Sequence, residues 1–190
     1  MQRAMVIVGA SLGGFDAISA LLSRLPASFP WPVVIVQHRS AEDTADTLQV
    51  MLQRLCALPV REVEDKDPIV AGHVYVAPPD YHLLIDRGAF ALSTEARVSH
   101  ARPSIDVLFD SAAATLGSSV VAVVLTGANA DGALGVVRVK SEGGLVLVQD
   151  PATAESPAMP LAAIATAAAD EVLPLEAIGD YLSRLAASRM

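Results

Sequence analysis

Cysteine is almost absent from this sequence. Its 190 residues include a single one, Cys56, which cannot form a disulfide within the chain and therefore suits a reducing compartment. No group of cysteines and histidines has the spacing of a zinc site, so we expect no metal. Cys56 ends an amphipathic helical stretch, and we expect it to pack in the core rather than to act as a nucleophile.

Long hydrophobic runs and clusters of positive charge are also missing. The longest apolar stretch, Val120–Leu125, is far shorter than the roughly 18 residues of a membrane-spanning helix. The first residues run directly into a strand pattern, without the apolar segment and cleavage site of a signal peptide. Thirteen basic residues stand against 21 acidic ones, and no run of lysine or arginine occurs. We therefore expect a cytoplasmic protein with no membrane insertion and no nucleic-acid binding.

Short β-branched runs alternate with segments of helical periodicity along most of the chain. Strands are predicted at Met5–Val8, Val33–Gln37, Val74–Ala77, Val120–Leu125, Leu145–Gln149 and Glu171–Leu173. Helices are predicted at Phe15–Leu25, Asp43–Leu55, from Ser104 as the cap to about Leu116, Ala133–Glu142, Leu161–Ala168 and Leu175–Ala187. This order predicts a mostly parallel sheet with helices on both faces, because strands joined through helices form right-handed crossovers.

The middle of the chain interrupts this alternation. Two short runs, Leu83–Asp86 and Phe90–Ser93, flank Arg87-Gly88, and a glycine-containing turn between two such runs predicts an antiparallel hairpin. A polar connection, residues 94–103, follows. Because no linker or repeat is visible, we expect residues 1–190 to form one doubly wound α/β domain with this hairpin inserted.

The turn after the first predicted strand has the sequence GASLGG, from Gly9 to Gly14. It differs from the dinucleotide fingerprint because Ser11 stands where a glycine must let the backbone approach a pyrophosphate. The second strand ends in Gln37-His38 and lacks the acidic residue that would hold a ribose, so nucleotide binding is disfavoured. Two interpretations of Ser11 stay open. It is either a nucleophile at a helix N-terminus, where amides can stabilise an oxyanion, or a simple N-cap.

Two further strand ends carry polar side chains that can act with Ser11. His38 follows the second strand, and Asp131 lies in the loop LTGANADG after a long apolar strand. Taken alone, His38 could be a hydrogen-bonded structural group and Asp131 the N-cap of the helix from Ala133. Together, the three residues supply a nucleophile, its general base and the carboxylate that orients the imidazole. The combination favours a Ser11-His38-Asp131 triad.

Several blocks spread over nearly the whole chain resemble the catalytic domain of the chemotaxis protein-glutamate methylesterase, CheB. The blocks are GASLGG, VQH, VYVAPPDYHLL, ARPSIDVLF, VVLTGANADG and VLVQDPATAESPAMP. The resemblance implies an enzyme that hydrolyses glutamate γ-methyl esters on the cytoplasmic helices of chemoreceptors, releases methanol and, in some members, deamidates glutamines. It matches the family's nucleophile, base and aspartate to Ser11, His38 and Asp131, and it implies no cofactor.

The resemblance also suggests residues around the triad. Backbone N–H groups near Leu12 or in the Gly127 loop are candidate oxyanion donors. His82 and Arg102 match recurrent family positions and are candidates for the substrate surface, although a loop histidine or arginine is more often simply solvated.

The chain also departs from the family pattern. Ala128-Asn129 replaces the usual Met-Gly, so any contribution of that methionine side chain is lost. The usual N-terminal receiver domain is absent from this sequence, which predicts either a stand-alone enzyme, controlled for instance by a regulatory partner in trans, or a fragment of a larger fusion. Because the net charge is -8, docking on acidic receptors would depend on local contacts or tethering. The alternative function is an inactive or weakly active family member that serves as a signalling or binding module.

Overall fold

A central parallel sheet forms the framework of the computed structural model, which describes residues 4–39 and 47–188. Its strands are β1 Met5–Ala10, β2 Val33–Gln37, β3 Val60–Glu62, β4 Val74–Val76, β7 Val120–Val124, β8 Leu145–Gln149 and β9 Glu171–Leu173. Within the described residues they lie in the order β3-β4-β2-β1-β7-β8-β9, and every pairing is parallel. Every residue of β1 and β7 is buried, which explains their continuous apolar character.

Helices cover both faces of this sheet. They are α1 Gly14–Ser23, α2 Thr47–Gln53, α3 Ile105–Leu116, α4 Ala133–Ser141, α5 Ala158–Ala165 and α6 Leu175–Ser188. On one face, Ile18 of α1 and Leu182 of α6 belong to one hydrophobic cluster. On the other face, Phe109 of α3, Val136 of α4 and Met159 of α5 belong to a second cluster. The predicted doubly wound α/β architecture is therefore confirmed.

The predicted hairpin is also confirmed. Strands β5 His82–Asp86 and β6 Ala89–Ser93 pair antiparallel around Arg87-Gly88. Both turn residues have positive φ, 49° and 86°, as the favoured two-residue hairpin turns require. The hairpin is attached to α3 by hydrogen bonds from Ile85 N–H to Ser111 Oγ over 3.1 Å and from Thr115 Oγ1 to Ile85 O over 3.1 Å.

Some element ends differ from the predictions. The short edge strand β3 was not predicted because its three residues, VRE, are too few to show a period. Helix α5 starts at Ala158, ahead of the predicted Leu161, because the first turn of a helix tolerates a proline, here Pro160. The predicted helix Asp43–Leu55 lies partly outside the described residues. Within the part of the chain that the structure describes, no helix is long and apolar enough to cross a bilayer.

Candidate active site

The three candidate catalytic residues lie at one edge of the sheet. Ser11 directly follows β1, His38 directly follows β2, and Asp131 lies between β7 and α4. Because β1 pairs in parallel with β2 on one side and with β7 on the other, the carboxyl ends of these strands meet. From β1 the strand order extends through β2 on one side and through β7 on the other. The carboxyl end of β1 is therefore the topological switch point, where open α/β sheets bind ligands.

Ser11 and Asp131 contact opposite nitrogens of the His38 ring. The Ser11 Oγ lies 3.2 Å from Nδ1, and the Asp131 Oδ2 lies 2.7 Å from Nε2. Because an ionised carboxylate only accepts hydrogen bonds, Nε2 carries the proton and the lone pair of Nδ1 faces the serine hydroxyl. The two nitrogens have exchanged partners relative to the serine-protease template, where Nε2 faces the serine. The arrangement can still deprotonate a nucleophile and orient its base.

A tight turn presents Ser11. The Ser11 N–H donates to Thr126 O over 2.9 Å, and the Gly14 N–H donates to Ser11 O over 2.8 Å. Between them Gly13 has a φ of 75°, a conformation that favours glycine. The Thr126 hydroxyl donates to Leu12 O over 2.9 Å and fixes the turn against the β7 loop. Within the described residues the Leu12 N–H has no acceptor, so it is available to an oxyanion.

The Asp131 carboxylate is fully buried and heavily hydrogen-bonded. Besides His38, it accepts from Ile105 N–H over 2.7 Å, Ser104 Oγ over 2.9 Å and Asp106 N–H over 3.0 Å. Burial alone would raise the pKa of Asp131, but the hydrogen bonds from His38, the two backbone N–H groups and Ser104 outweigh it, so the pKa lies below its usual value. The carboxylate is therefore held ionised beside the imidazole.

Neither Ser104 nor Asp131 has the capping role that local sequence suggests. Ser104 occupies the N-cap position of α3, but its side chain makes no capping hydrogen bond and donates to Asp131 instead. Asp131 accepts from the first amides of α3, whereas Gly132 takes the N-cap position of α4. The interpretation of Asp131 as the cap of α4 is therefore wrong. Local sequence could not reveal the Ser104 contact because its partner is distant in the chain.

A second buried carboxylate, Asp106, lies next to Asp131. Its Oδ1 accepts from Gly135 N–H over 2.7 Å. Burial raises the pKa of Asp106, and the negative charge of Asp131 raises it further, against the opposing effect of the N–H groups of Gly135 and Gly132. The two neighbouring carboxyls thus have pKa values shifted in opposite directions.

The Gly127 backbone is already engaged. Its N–H donates to Ser156 O over 3.0 Å, and its carbonyl accepts from Met159 N–H over 2.9 Å. A donor that is occupied in this way cannot also serve an oxyanion without breaking its present bond. The Gly127 N–H itself is therefore unsuited to the oxyanion role, while donors near Leu12 and elsewhere in the Gly127 loop stay predictions.

His82 is another candidate that the structure corrects. It is 2% exposed, its Nε2 lies 3.0 Å from Ala96 O, and its Nδ1 accepts from Ser104 N–H over 3.2 Å. A buried ring with both nitrogens engaged cannot bind substrate, so that prediction is wrong. His82 instead supports the backbone of Ser104, which in turn contacts Asp131.

Arg102 lines a cleft beside His38 but is largely committed to its own loop. Its Nε and Nη2 donate to Asp80 over 3.1 and 2.8 Å, and its Nη1 donates to the carbonyls of Thr94 and Glu95 over 2.8 and 3.0 Å. Most of its N–H groups are therefore already used. Substrate contact by Arg102 stays a prediction.

Asn129 is a neighbour of His38 that sequence reasoning did not assign to the site. Its Nδ2 lies 3.4 Å from His38 Nδ1, the nitrogen that also faces Ser11. Its Oδ1 accepts from Asp131 N–H over 3.1 Å. The departure of Ala128-Asn129 from the family pattern was the available signal, because it places a polar side chain in the active-site loop.

Comparisons with known proteins agree closely with one another. Residues 6–182 match the family model described as CheB methylesterase. The chain is 44% identical over 186 residues to a Leptospira interrogans protein provisionally named protein-glutamate methylesterase/protein-glutamine glutaminase, a match covering 97% of this chain and 96% of that protein. It is 42% identical over 178 residues to the Rhizobium johnstonii protein-glutamate methylesterase/protein-glutamine glutaminase 2, and this match covers 92% of this chain but 48% of that longer protein. The crystal structure of the Thermotoga maritima CheB methylesterase catalytic domain matches with a TM-score of 0.92 at 35% identity, covering 97% of this chain and 100% of that chain.

Proposed function

Because the chain belongs to the CheB methylesterase family, we propose that it hydrolyses γ-methyl esters of glutamate side chains on chemoreceptors, with Ser11 as the nucleophile. The observation that carries this proposal is the hydrogen-bonded series from Ser11 Oγ through the His38 ring to the Asp131 carboxylate. Relatives of this chain are named for the same activity. The substrate segments would be cytoplasmic receptor helices, so we place the reaction in the cytoplasm.

In the first half of the reaction, His38 Nδ1 takes the proton of Ser11 as Oγ attacks the ester carbonyl. The buried, ionised Asp131 stabilises the resulting imidazolium through Nε2. The Leu12 N–H donates to the oxyanion. The bond between the carbonyl carbon and the methoxy oxygen then breaks, and the methoxy group takes the proton from His38 and leaves as methanol. A glutamyl ester on Ser11 results.

The second half repeats these proton transfers with water. His38 removes a proton from the water as it attacks the glutamyl ester, and the Ser11 oxygen leaves and regains its proton from His38. The product is a receptor glutamate. A glutamine side chain would form the same acyl-enzyme with ammonia as the leaving group, so we extend the proposal to glutamine deamidation, an activity for which the relatives are also named.

Methanol release tests this proposal. Methylated cytoplasmic fragments of several chemoreceptors are incubated with the wild-type protein and with the Ser11→Ala variant, and ammonia is followed with unmethylated fragments that carry glutamine. We expect release by the wild type and a loss of at least about a thousandfold in the variant. Equal background from both folded proteins, on substrate confirmed as methylated, would favour a signalling or binding module instead.

A further inference from the structure

A second cleft opens beside His38, next to the turn that carries Ser11. It measures about 160 Å³ and is separate from the groove along the Ser11 turn, with which it shares His38. We call it the cationic cleft. Its lining includes the charged, imidazole and amide side chains of His38, Arg39, Arg97, His100, Arg102 and Asn129.

The charges of this cleft differ from those of the whole protein. Arg97 and Arg102 share one carboxylate, that of Asp80, over 3.5 and 2.8 Å, and Arg39 pairs with Glu62 over 3.1 Å. Together, Arg97, Arg102 and Asp80 carry one positive charge in excess, on a chain whose net charge is -8. An excess of positive charge beside the triad favours an anionic partner at this position.

Arg97 is the arginine best able to meet a ligand. Its side chain is 55% exposed, and its ion pair with Asp80 spans 3.5 Å. The Arg102 side chain is only 19% exposed and is held by Asp80 and two carbonyls, so it forms a fixed wall. A guanidinium that is exposed and loosely paired can turn toward an incoming carboxylate with little loss.

The backbone around the cleft is strained. Ser99 and His100 have φ values of 50° and 64°, at the tip of a turn closed by hydrogen bonds between Val98 and Ala101 in both directions. Asp80, the partner of both arginines, also has a positive φ of 60°. Residues other than glycine adopt positive φ values at an energetic cost, and such residues cluster at ligand-binding sites. The exposed His100 side chain is part of the lining of the cleft.

We propose that the cationic cleft binds a carboxylate that neighbours the ester on the same substrate. This inference rests on the proposed function, because each hydrolysis of a glutamyl ester leaves a glutamate carboxylate. A substrate with several esters therefore gains negative charge beside those that remain. Arg97 forms the ion pair with that carboxylate, His100 contributes a further hydrogen bond, and Arg102 holds Asp80 in place. Partly hydrolysed substrate is then bound more tightly than fully esterified substrate.

Peptide binding to the full chain tests the inference independently of catalysis. Two helical peptides carry one glutamate γ-methyl ester flanked by either glutamates or glutamines, and their affinities are measured by calorimetry with Ser11→Ala protein so that no ester is consumed. We expect about fivefold tighter binding of the glutamate-flanked peptide, a preference that weakens as salt is added. The further change Arg97→Gln removes most of this preference, and His100→Asn, which tolerates the positive φ, reduces it.

Arg87→Gln is the matched control. The Arg87 side chain is 95% exposed, and its neighbour Gly88 lies with Met5 at the amino-terminal edge of the sheet, opposite the site. This variant should keep the full preference. Equal affinity for the two peptides, a preference that survives Arg97→Gln in folded protein, or no measurable binding of either peptide would overturn the inference. If the wild type hydrolyses both peptides but binding shows no acidic preference, the proposed function stands and the inference is refuted. If binding shows the acidic preference but neither peptide is hydrolysed, the carboxylate site stands and the proposed function is refuted.

Discussion

The hydroxyl of Ser104 donates a hydrogen bond to the Asp131 carboxylate over 2.9 Å and so joins the start of α3 to the loop after β7. Ser104 is fully buried, which excludes it from attacking a substrate. It is therefore a positioning residue, one of the donors that keep the pKa of Asp131 low. This contact distinguishes the roles of two serines that lie close to the same histidine-aspartate pair.

Ser104→Ala should lower kcat without abolishing it. Asp131 loses one donor but keeps Ile105 N–H, Asp106 N–H and His38, so we expect about a 3-fold to 30-fold decrease in kcat and a loss of about 1 kcal/mol in the free energy of unfolding. Steady-state kinetics and urea unfolding measure the two effects. A decrease in kcat as large as that of Ser11→Ala would contradict a positioning role.

Ser111→Ala is the matched control for this variant. Ser111 lies on the same helix and accepts a hydrogen bond from Ile85 N–H, away from the triad. We expect a comparable loss of stability, about 1 kcal/mol, with unchanged kcat in the folded fraction. A similar loss of kcat in both variants would show that the kinetic effect of Ser104→Ala comes from a general disturbance of α3.

Asn129→Ala should increase kcat/KM by about twofold to threefold. The Nδ1 lone pair of His38 faces both Ser11 Oγ at 3.2 Å and Asn129 Nδ2 at 3.4 Å, and one lone pair cannot serve two donors well. Without the Asn129 amide, the Nδ1 lone pair no longer has to be shared and can accept fully from the Ser11 hydroxyl. Hydrolysis of a methyl-ester peptide checks the prediction. A decrease of about tenfold or more would instead indicate that Asn129 donates to the oxyanion.

Asp131→Asn should destabilise the protein in a pH-dependent way. Because the folded-state pKa of Asp131 is lowered, its ionised form stabilises the fold fully above the unfolded-state value of about 3.9, and this stabilisation is lost as pH falls through the folded-state pKa. We expect the wild type to exceed the variant by about 1–3 kcal/mol at neutral pH. The difference should shrink in acid, as measured by urea unfolding across the acidic range.

Two comparisons make this result specific. Asp110→Asn, on α3 at a side chain that is 69% exposed, should change the free energy of unfolding little, because an exposed ion pair contributes little stability. Asp106→Asn should show the opposite pH trend to Asp131→Asn, because the raised pKa of Asp106 favours its protonated form, whose stabilising effect is lost as pH rises through the folded-state value. A wild-type advantage over Asp131→Asn that grows in acid would contradict the predicted direction.

Gly127→Ala should disturb Ser11, the proposed nucleophile. A Cβ at this position would lie 2.5 Å from Met159 Cε and 3.0 Å from Ser11 Cβ, so both neighbours must shift. We expect a loss of about 1–3 kcal/mol in stability together with a reduced kcat in the folded fraction. In Gly179→Ala the new Cβ would lie 2.5 Å from Arg24 Cβ, between α1 and α6, and should cost stability with no change in kcat. Equal kcat in the two variants would refute the link to Ser11.

Much of the fold could be predicted because its signals are local. Continuous apolar strands such as β1 and β7 alternate with helical periods, and this pattern alone predicts a doubly wound parallel sheet. The hairpin was visible in Arg87-Gly88 between two apolar runs. The edge strand β3 has too few residues to show a period, and the start of α5 was obscured by Pro160.

The candidate site was predictable only in part. Parallel strands bring their carboxyl ends together, so the proximity of Ser11, His38 and Asp131 followed from topology, while their catalytic roles stay predictions. The accessory residues depend on tertiary contacts that no local pattern encodes. The Gly127 N–H donates to Ser156 O, a partner distant in the chain. The assignment of His82 to substrate failed because a histidine at the start of a strand, here β5, is exposed in one fold and buried in another.

The identity of the serine that reacts with a fluorophosphonate tests the account most directly. The wild type and the Ser11→Ala variant are treated with a fluorophosphonate, digested, and mapped by mass spectrometry. The account predicts one phosphonylated peptide in the wild type, modified at Ser11, and no modification in the folded variant. Modification at Ser104, or equal labelling of both proteins, would contradict the role of Ser11 as the nucleophile.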